Sequence, residues 1–168
     1  MIRVELNEVE IRIVKFIARE RTSANTRAGT PNKQFDPNRK REDLDIVGFG
    51  GEMAFGKEAN CYPDFSIIPR AGGHDFWYQD QKVDVKTISY DGPTPELMTG
   101  LWKGKHNEGD LPDLYVLIQK HVDSFIFDII GFCRKEELLN PENIGDKGHG
   151  DCYILDASRL KDPLDLFC

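Results

Sequence analysis

Residues 72–87, Gly-Gly-His-Asp-Phe-Trp-Tyr-Gln-Asp-Gln-Lys-Val-Asp-Val-Lys-Thr, read as two short strands joined by a tight turn. Phe76 and Tyr78 alternate with Trp77 and Gln79, the polar run from Gln79 to Lys82 makes the corner, and Val83, Val85 and Thr87 resume the period of two. Side chains two apart on a strand share a face, so Asp84 and Lys86 project together, opposite Val83 and Val85. Asp75, at the start of the first strand, reaches the same place across the hairpin. Two acids and a lysine therefore converge at the edge of an apolar sheet.

Working outward, Leu114 to Ile118 is a nearly continuous apolar run, the pattern of a strand covered on both faces. Phe125 to Cys133 is a second such run, and the Asp123-Ser124 turn pairs the two as a hairpin. Cys152 to Leu155 is a last short strand. Asp64 to Ile68 predicts a strand stopped by Pro69, and Ile88 to Leu111 predicts irregular chain. On the other side, Ile2 to Leu6 alternates weakly, and Asn7 is placed to cap a helix with Glu8 and Glu10 in its first turn. Val9, Ile13, Phe16 and Ile17 recur at helical spacing and predict an apolar face ending near Arg21. Ile46 to Glu52 is glycine-rich, and Glu52 opens a second helix of two to three turns.

These elements predict an α/β protein. With 168 residues, 39% hydrophobic and 30% charged, one domain over 1–168 is the simplest organisation, carrying a long basic loop at about 22–45. No apolar run approaches the roughly 20 residues a bilayer crossing needs, and the first residues lack a signal-peptide block. A cytoplasmic protein without a membrane partner is expected. Cys61, Cys133, Cys152 and Cys168 form no Cys-x-x-Cys pair and are expected as reduced thiols. A zinc set could be assembled from Cys61, His74, His149 and Cys152, of which only the last two have ligand-like spacing.

Net charge is −7, yet it is unevenly spread. Between Arg12 and Arg41 nine basic residues stand against two acids, a local balance of +7. Such a stretch suits a polyanion approaching one face, with a solvated helix and loop as the bland alternative. Arg19, Arg27, Arg39, Lys40 and Arg41 are the candidate phosphate contacts. Trp102 beside Lys103 and Lys105 adds a candidate for stacking on a base, against the alternative of a tryptophan anchoring its loop.

Two carboxylates offering oxygen ligands suit a hard divalent cation such as Mg²⁺, with Mn²⁺ as a substitute. Such an ion activates water near neutral pH and neutralises phosphate charge. Asp75 and Asp84 are the candidate metal ligands, the Val85 carbonyl between Asp84 and Lys86 could complete the set, and Glu52 would hold a metal-bound water or a second ion. Lys86 would orient the nucleophile and stabilise developing negative charge. The expected reaction is hydrolysis of a phosphodiester. Taken singly, an Asp-x-Lys pair is a common surface ion pair, and an acid opening a helix is commonly a dipole partner. The combination carries the reading.

The order Glu52, Asp75, Asp84-Val85-Lys86 resembles the PD-(D/E)xK, or restriction-endonuclease-like, nuclease superfamily. Residues 48–54 (Gly-Phe-Gly-Gly-Glu-Met-Ala), 73–76 (Gly-His-Asp-Phe) and 83–87 (Val-Asp-Val-Lys-Thr) are similar to its small single-domain members common in bacteriophage genomes. Later pieces, 113–117 and Ile129 to Lys135, extend the likeness. The proline that often precedes the first acid is His74 here, and Asp84 stands where glutamate is commoner. The resemblance implies a central mixed β-sheet flanked by helices and Mg²⁺-dependent cutting of nucleic acid, usually DNA, with Asp75 and Asp84 as metal ligands, Lys86 as catalytic lysine and Glu52 as the helix acid. A DNA endonuclease is the leading expectation, in the host cytoplasm if phage-encoded. An exonuclease, an RNA-directed nuclease, or a non-catalytic binding module of the same fold are the alternatives.

Overall fold

The computed structural model describes residues 1–29, 40–67, 73–89, 94–101, 111–148 and 150–167. Five strands form the main sheet in the order β1-β6-β5-β3-β2: β1 (Ile2–Glu5), β2 (Phe76–Tyr78), β3 (Gln81–Ile88), β5 (Leu114–Lys120) and β6 (Ile126–Arg134). Only β3 and β5 run parallel, and the other pairs are antiparallel. The connection from β3 to β5 passes through β4 (Glu96–Gly100), which pairs with β8 (Asp151–Asp156). β8 in turn pairs with β7 (Ile144–Asp146), making a second, three-stranded sheet. Helices α1 (Glu8–Arg27) and α2 (Arg41–Glu58) precede the hairpin, and the short α3 (Lys135–Leu138) and α4 (Leu164–Phe167) follow β6 and β8. The architecture is a mixed α/β sheet flanked by helices. No helix among the described residues is long and apolar enough to cross a membrane.

The core divides across the main sheet. Val83, Val85, Val116, Ile118, Phe127 and Ile129 pack with Val14, Ile17, Phe49 and Phe55 of the two long helices. On the other side, Tyr115, Leu117 and Cys133 pack with Leu97, Leu138 and Leu155 of the small sheet and α3. Period-two alternation explains the division, since adjacent residues of β5 go to opposite clusters. β5 is buried from Leu114 to Ile118, as an apolar run with both faces covered should be.

Helix α2 lies directly on the sheet because glycine faces it. A Cβ on Gly50 would stand 2.6 Å from Phe127 Cζ, and one on Gly51 would stand 1.9 Å from Thr87 Oγ1. The helix is longer than the sequence predicts: it starts at Arg41, so Glu52 sits well inside it and not at its opening. Interior glycines each cost about 0.5–1 kcal/mol of helix stability relative to alanine, and tertiary contact overrides that local preference here.

Helix α1 begins as expected. Asn7 Oδ1 accepts from Val9 N at 2.9 Å and Glu10 N at 3.0 Å, and Glu10 Oε2 accepts from Asn7 N at 2.7 Å, a complete capping box. The rest corrects the periodicity. The inner face is Val14, Ile17, Ala18, Arg21, Ala24 and Asn25, while Val9 and Phe16 are exposed. The helix also runs past Arg21 to Arg27, with Ser23 Oγ and Thr26 Oγ1 bonding the carbonyls of Arg19 and Thr22, one turn back. The loop expected over 22–45 is thus helical at both ends, and residues 30–39 lie outside the described chain.

Two further elements differ from expectation. Residues 61–67 form no strand, because Arg21 takes up the Asp64 and Ser66 carbonyls and Asp64 Oδ1 accepts from Ser66 N at 2.8 Å. Within 88–111 the sequence predicts irregular chain, yet 96–100 is β4, with Leu97 buried in the second cluster. The hairpin corner is tighter than the polar run suggests. Gln79 (φ 49°) and Asp80 (φ 59°) make a two-residue turn of the I′ kind, and Gln81 and Lys82 already belong to β3.

Candidate functional site

β3 is held on both sides. Along one edge it pairs with β5, Asp84 against Tyr115, Val85 against Val116 and Lys86 against Leu117. Asp113, just before β5, locks that register: its Oδ2 accepts from Lys82 N at 3.0 Å and its own N donates to Lys82 O at 2.8 Å. The bond from Lys82 N, with Lys135 nearby, holds the Asp113 carboxyl below the usual carboxylate range. Along the other edge lies β2, with Phe76 against Val83, Trp77 against Lys82 and Tyr78 against Gln81.

Asp84 and Lys86 meet on the face opposite Val83 and Val85. Lys86 Nζ stands 2.5 Å from Asp84 Oδ2, and the lysine side chain keeps about a third of its surface exposed. The pair is not the surface ornament that an Asp-x-Lys motif commonly is, since Asp84 is only 8% exposed. Tyr115 lies against it across the parallel ladder. Burial first, and the negative charge of Asp84 second, push the Tyr115 phenol well above its ordinary value.

Asp75 reaches the same point from the residue just before β2. Its N donates to Val83 O at 2.9 Å, and its Oδ2 accepts from Val85 N at 2.8 Å. A side-chain oxygen thus takes the place of a ladder carbonyl, which fixes the Asp75 carboxylate against the backbone between Asp84 and Lys86. The three residues that the sequence places together are placed together by the fold.

Glu52 is arranged differently. Its neighbour Gly51 abuts Thr87, and Thr87 belongs with Val83 and Val85 on the helix-covered face of β3. Asp84 and Lys86 project from the other face. Glu52 is 3% exposed, and its Oε2 accepts from Arg21 Nη1 at 3.2 Å. The Arg21 guanidinium also lies 4.6 Å from the Phe49 ring centre and donates to the Asp64 and Ser66 carbonyls. Arg21, counted among the basic residues facing a polyanion, is therefore internal. Nothing in its local sequence distinguishes it from exposed Arg19.

Of the candidate phosphate contacts, Arg19, Arg27 and Lys40 are solvent-facing and Arg41 is half-buried. Arg39, Trp102, Lys103 and Lys105 lie outside the described residues. Of the zinc set, Cys61 follows α2, Cys152 is on β8 in the second sheet, and His149 is outside the described residues. Burial raises the Cys61 and Cys152 thiols and pushes Cys133 up to about 12. Among the described residues no three His, Cys, Asp or Glu side chains form a group able to hold a metal ion. What the site offers a cation is the Asp84 carboxylate on β3, the Asp75 carboxylate just ahead of β2, and the main chain between them. That donor set fits Mg²⁺, which takes one or two carboxylates and keeps several waters. It does not fit an ion that demands an all-protein cage.

No family model matches the chain, and neither a curated protein nor a solved structure matches it.

Proposed function

We propose that this protein is a divalent-metal-dependent phosphodiester hydrolase, and more particularly a DNA endonuclease built on a restriction-endonuclease-like core. The observation that carries the reading is the junction of β2 and β3. There Lys86 pairs with Asp84 at 2.5 Å, and the Asp75 carboxylate is bonded to the Val85 N–H between them. A buried acid beside a partly exposed amine, on rigid strands, is an arrangement suited to chemistry on an anionic substrate.

In this reading Asp75 and Asp84, with the Val85 carbonyl, hold Mg²⁺ or Mn²⁺. The bound ion supplies charge neutralisation on the phosphate and activation of water. Lys86 places its ammonium beside the scissile phosphate and offsets negative charge as it develops on the phosphate oxygens. Asp84 holds that ammonium in place before substrate arrives. Asp75 spends one oxygen on Val85 N, which fixes the direction of its carboxylate. Glu52 is anchored by Arg21 within the packing of α2, and in this reading would hold a metal-bound water or a second ion.

The test is incubation with closed circular single- and double-stranded DNA, linear DNA and RNA, with Mg²⁺ or Mn²⁺. Nicking of closed circles is the expected outcome. Digestion of linear ends alone would make the protein an exonuclease, cutting of RNA alone an RNA-directed enzyme, and binding without cutting, unchanged in Asp84→Ala, a binding module.

A further inference from the structure

The face of β3 that carries Asp84 and Lys86 also carries Lys82, two residues before Asp84, and Lys82 stands directly opposite Trp77 on β2. Trp77 is 62% exposed, an unusual condition for the largest apolar side chain in a protein that buries the sheet aromatics Phe76 and Tyr115. The ring is nevertheless held in place. Lys82 Nζ lies 5.5 Å from its centre and the His74 ring meets it edge-on at 5.2 Å, 83° between planes. A cation within about 6 Å of an indole face is attracted by the ring quadrupole. Successive same-face residues of a strand are about 6.6 Å apart, so this aromatic and its lysine lie immediately beside the Asp84–Lys86 pair.

We infer that Trp77, flanked by Lys82 and His74, is a stacking platform for an unpaired nucleobase whose phosphodiester lies at Asp84 and Lys86. The proposal deepens the phosphodiester-hydrolase reading and rests on it. A base has a π-face whatever its identity, so the platform is sequence-tolerant, whereas a base locked in a duplex keeps both faces stacked on its neighbours. The substrate class that follows is nucleic acid with exposed bases: single strands, or flaps, gaps and frayed ends. Lys82 and Lys86 supply positive charge on either side of Asp84, matched to the phosphates adjoining the stacked base.

Binding to the full-length protein in the presence of a chelator separates this from catalysis. Labelled oligo(dT), oligo(rU) and a DNA duplex are titrated against wild type, Trp77→Ala and Trp77→Phe, with urea unfolding as the check on folding. Trp77→Ala is expected to weaken single-strand binding about tenfold or more, leave duplex binding within about twofold, and be largely rescued by Trp77→Phe. Loss on oligo(dT) alone selects DNA, and loss on both selects exposed bases of either sugar. Equal single-strand affinity in wild type and Trp77→Ala, or an equal loss on the duplex, overturns the platform while leaving the hydrolase reading standing. Failure of the wild type to bind any of the three removes both.

Discussion

Arg21 on α1 and Glu52 on α2 form an ion pair of 3.2 Å between side chains that are each more than nine-tenths buried. The guanidinium ties together three separate parts of the chain: α1, α2 and the segment that carries the Asp64 and Ser66 carbonyls. Removing one member of such a pair leaves a buried charge without its counter-ion, which costs about 3–5 kcal/mol. Arg21→Met should lower the urea midpoint accordingly. Glu52→Gln, which keeps the shape, should cost less. A surface-like loss under about 1 kcal/mol for Arg21→Met would mean the pair does not brace the helices.

Lys86→Ala should lower the cleavage rate about a hundredfold or more, the scale of losing one preorganised group that stabilises charge. Asp84 is buried, so Asp84→Asn is a cleaner probe than alanine, and it should abolish cleavage with the urea midpoint nearly unchanged. Nicking rates measured beside unfolding curves decide the matter. Full turnover in either variant removes the site assignment.

Thr87 Oγ1 is buried and, among the described residues, makes no hydrogen bond, pressed as it is against Gly51. An unsatisfied buried hydroxyl costs about 1–3 kcal/mol. Thr87→Val should therefore stabilise the fold, by about 1 kcal/mol at the lower end of that range. Gly51→Ala should destabilise it by about 1–3 kcal/mol or more through the clash with Thr87. Because the two residues touch, the double variant Gly51→Ala/Thr87→Ala should lose less than Gly51→Ala alone. Additivity in the urea midpoints would show that the helix finds room by moving elsewhere.

Asp128 on β6 accepts from Arg3 Nε at 2.8 Å and Nη2 at 3.0 Å, and its Oδ2 lies 2.6 Å from His121 Nε2. The Arg3 bonds, against the opposing effect of burial and with help from His121, hold its carboxyl below the usual range. A carboxyl depressed in the folded state contributes stability above its unfolded pKa of roughly 3.9, and that contribution disappears as pH falls through the folded value. Urea midpoints measured from neutral pH into that acid range should fall less steeply in Asp128→Asn than in wild type. Parallel curves would assign the acid limb to other carboxylates.

Charge reversal at Arg39, Lys40 and Arg41 should weaken DNA binding and flatten its salt dependence. The slope of log affinity against log salt should fall by about one for each phosphate that is no longer neutralised. Titrations at several salt concentrations read the slope directly. An unchanged slope returns this basic segment to plain solvation.

The hairpin and the Asp84–Lys86 pair are legible in the sequence because they depend on local rules. A period of two sets which side chains share a face, and a turn sets which residues stand opposite. The Asn7 cap and the doubly covered β5 are of the same kind. The true inner face of α1 is not legible. Val9 and Phe16 are more apolar than Ala18 and Ala24, yet the small residues are the buried ones, on a helix packed against α2. The full length of α2 is hidden by its glycines, which weaken a lone helix and permit close approach to Phe127 and Thr87 only once a sheet is there.

Residues adjacent in the chain thus determined the hairpin, its facing acids and its lysine, because strand geometry and turn chemistry act over a few residues. Tertiary structure alone decided that Arg21 is internal, that Glu52 is buried against it, and that Trp77 stays in solvent beside Lys82. Burial and charge pairing are set by whatever distant segment packs against a side chain, and no local pattern carries that information.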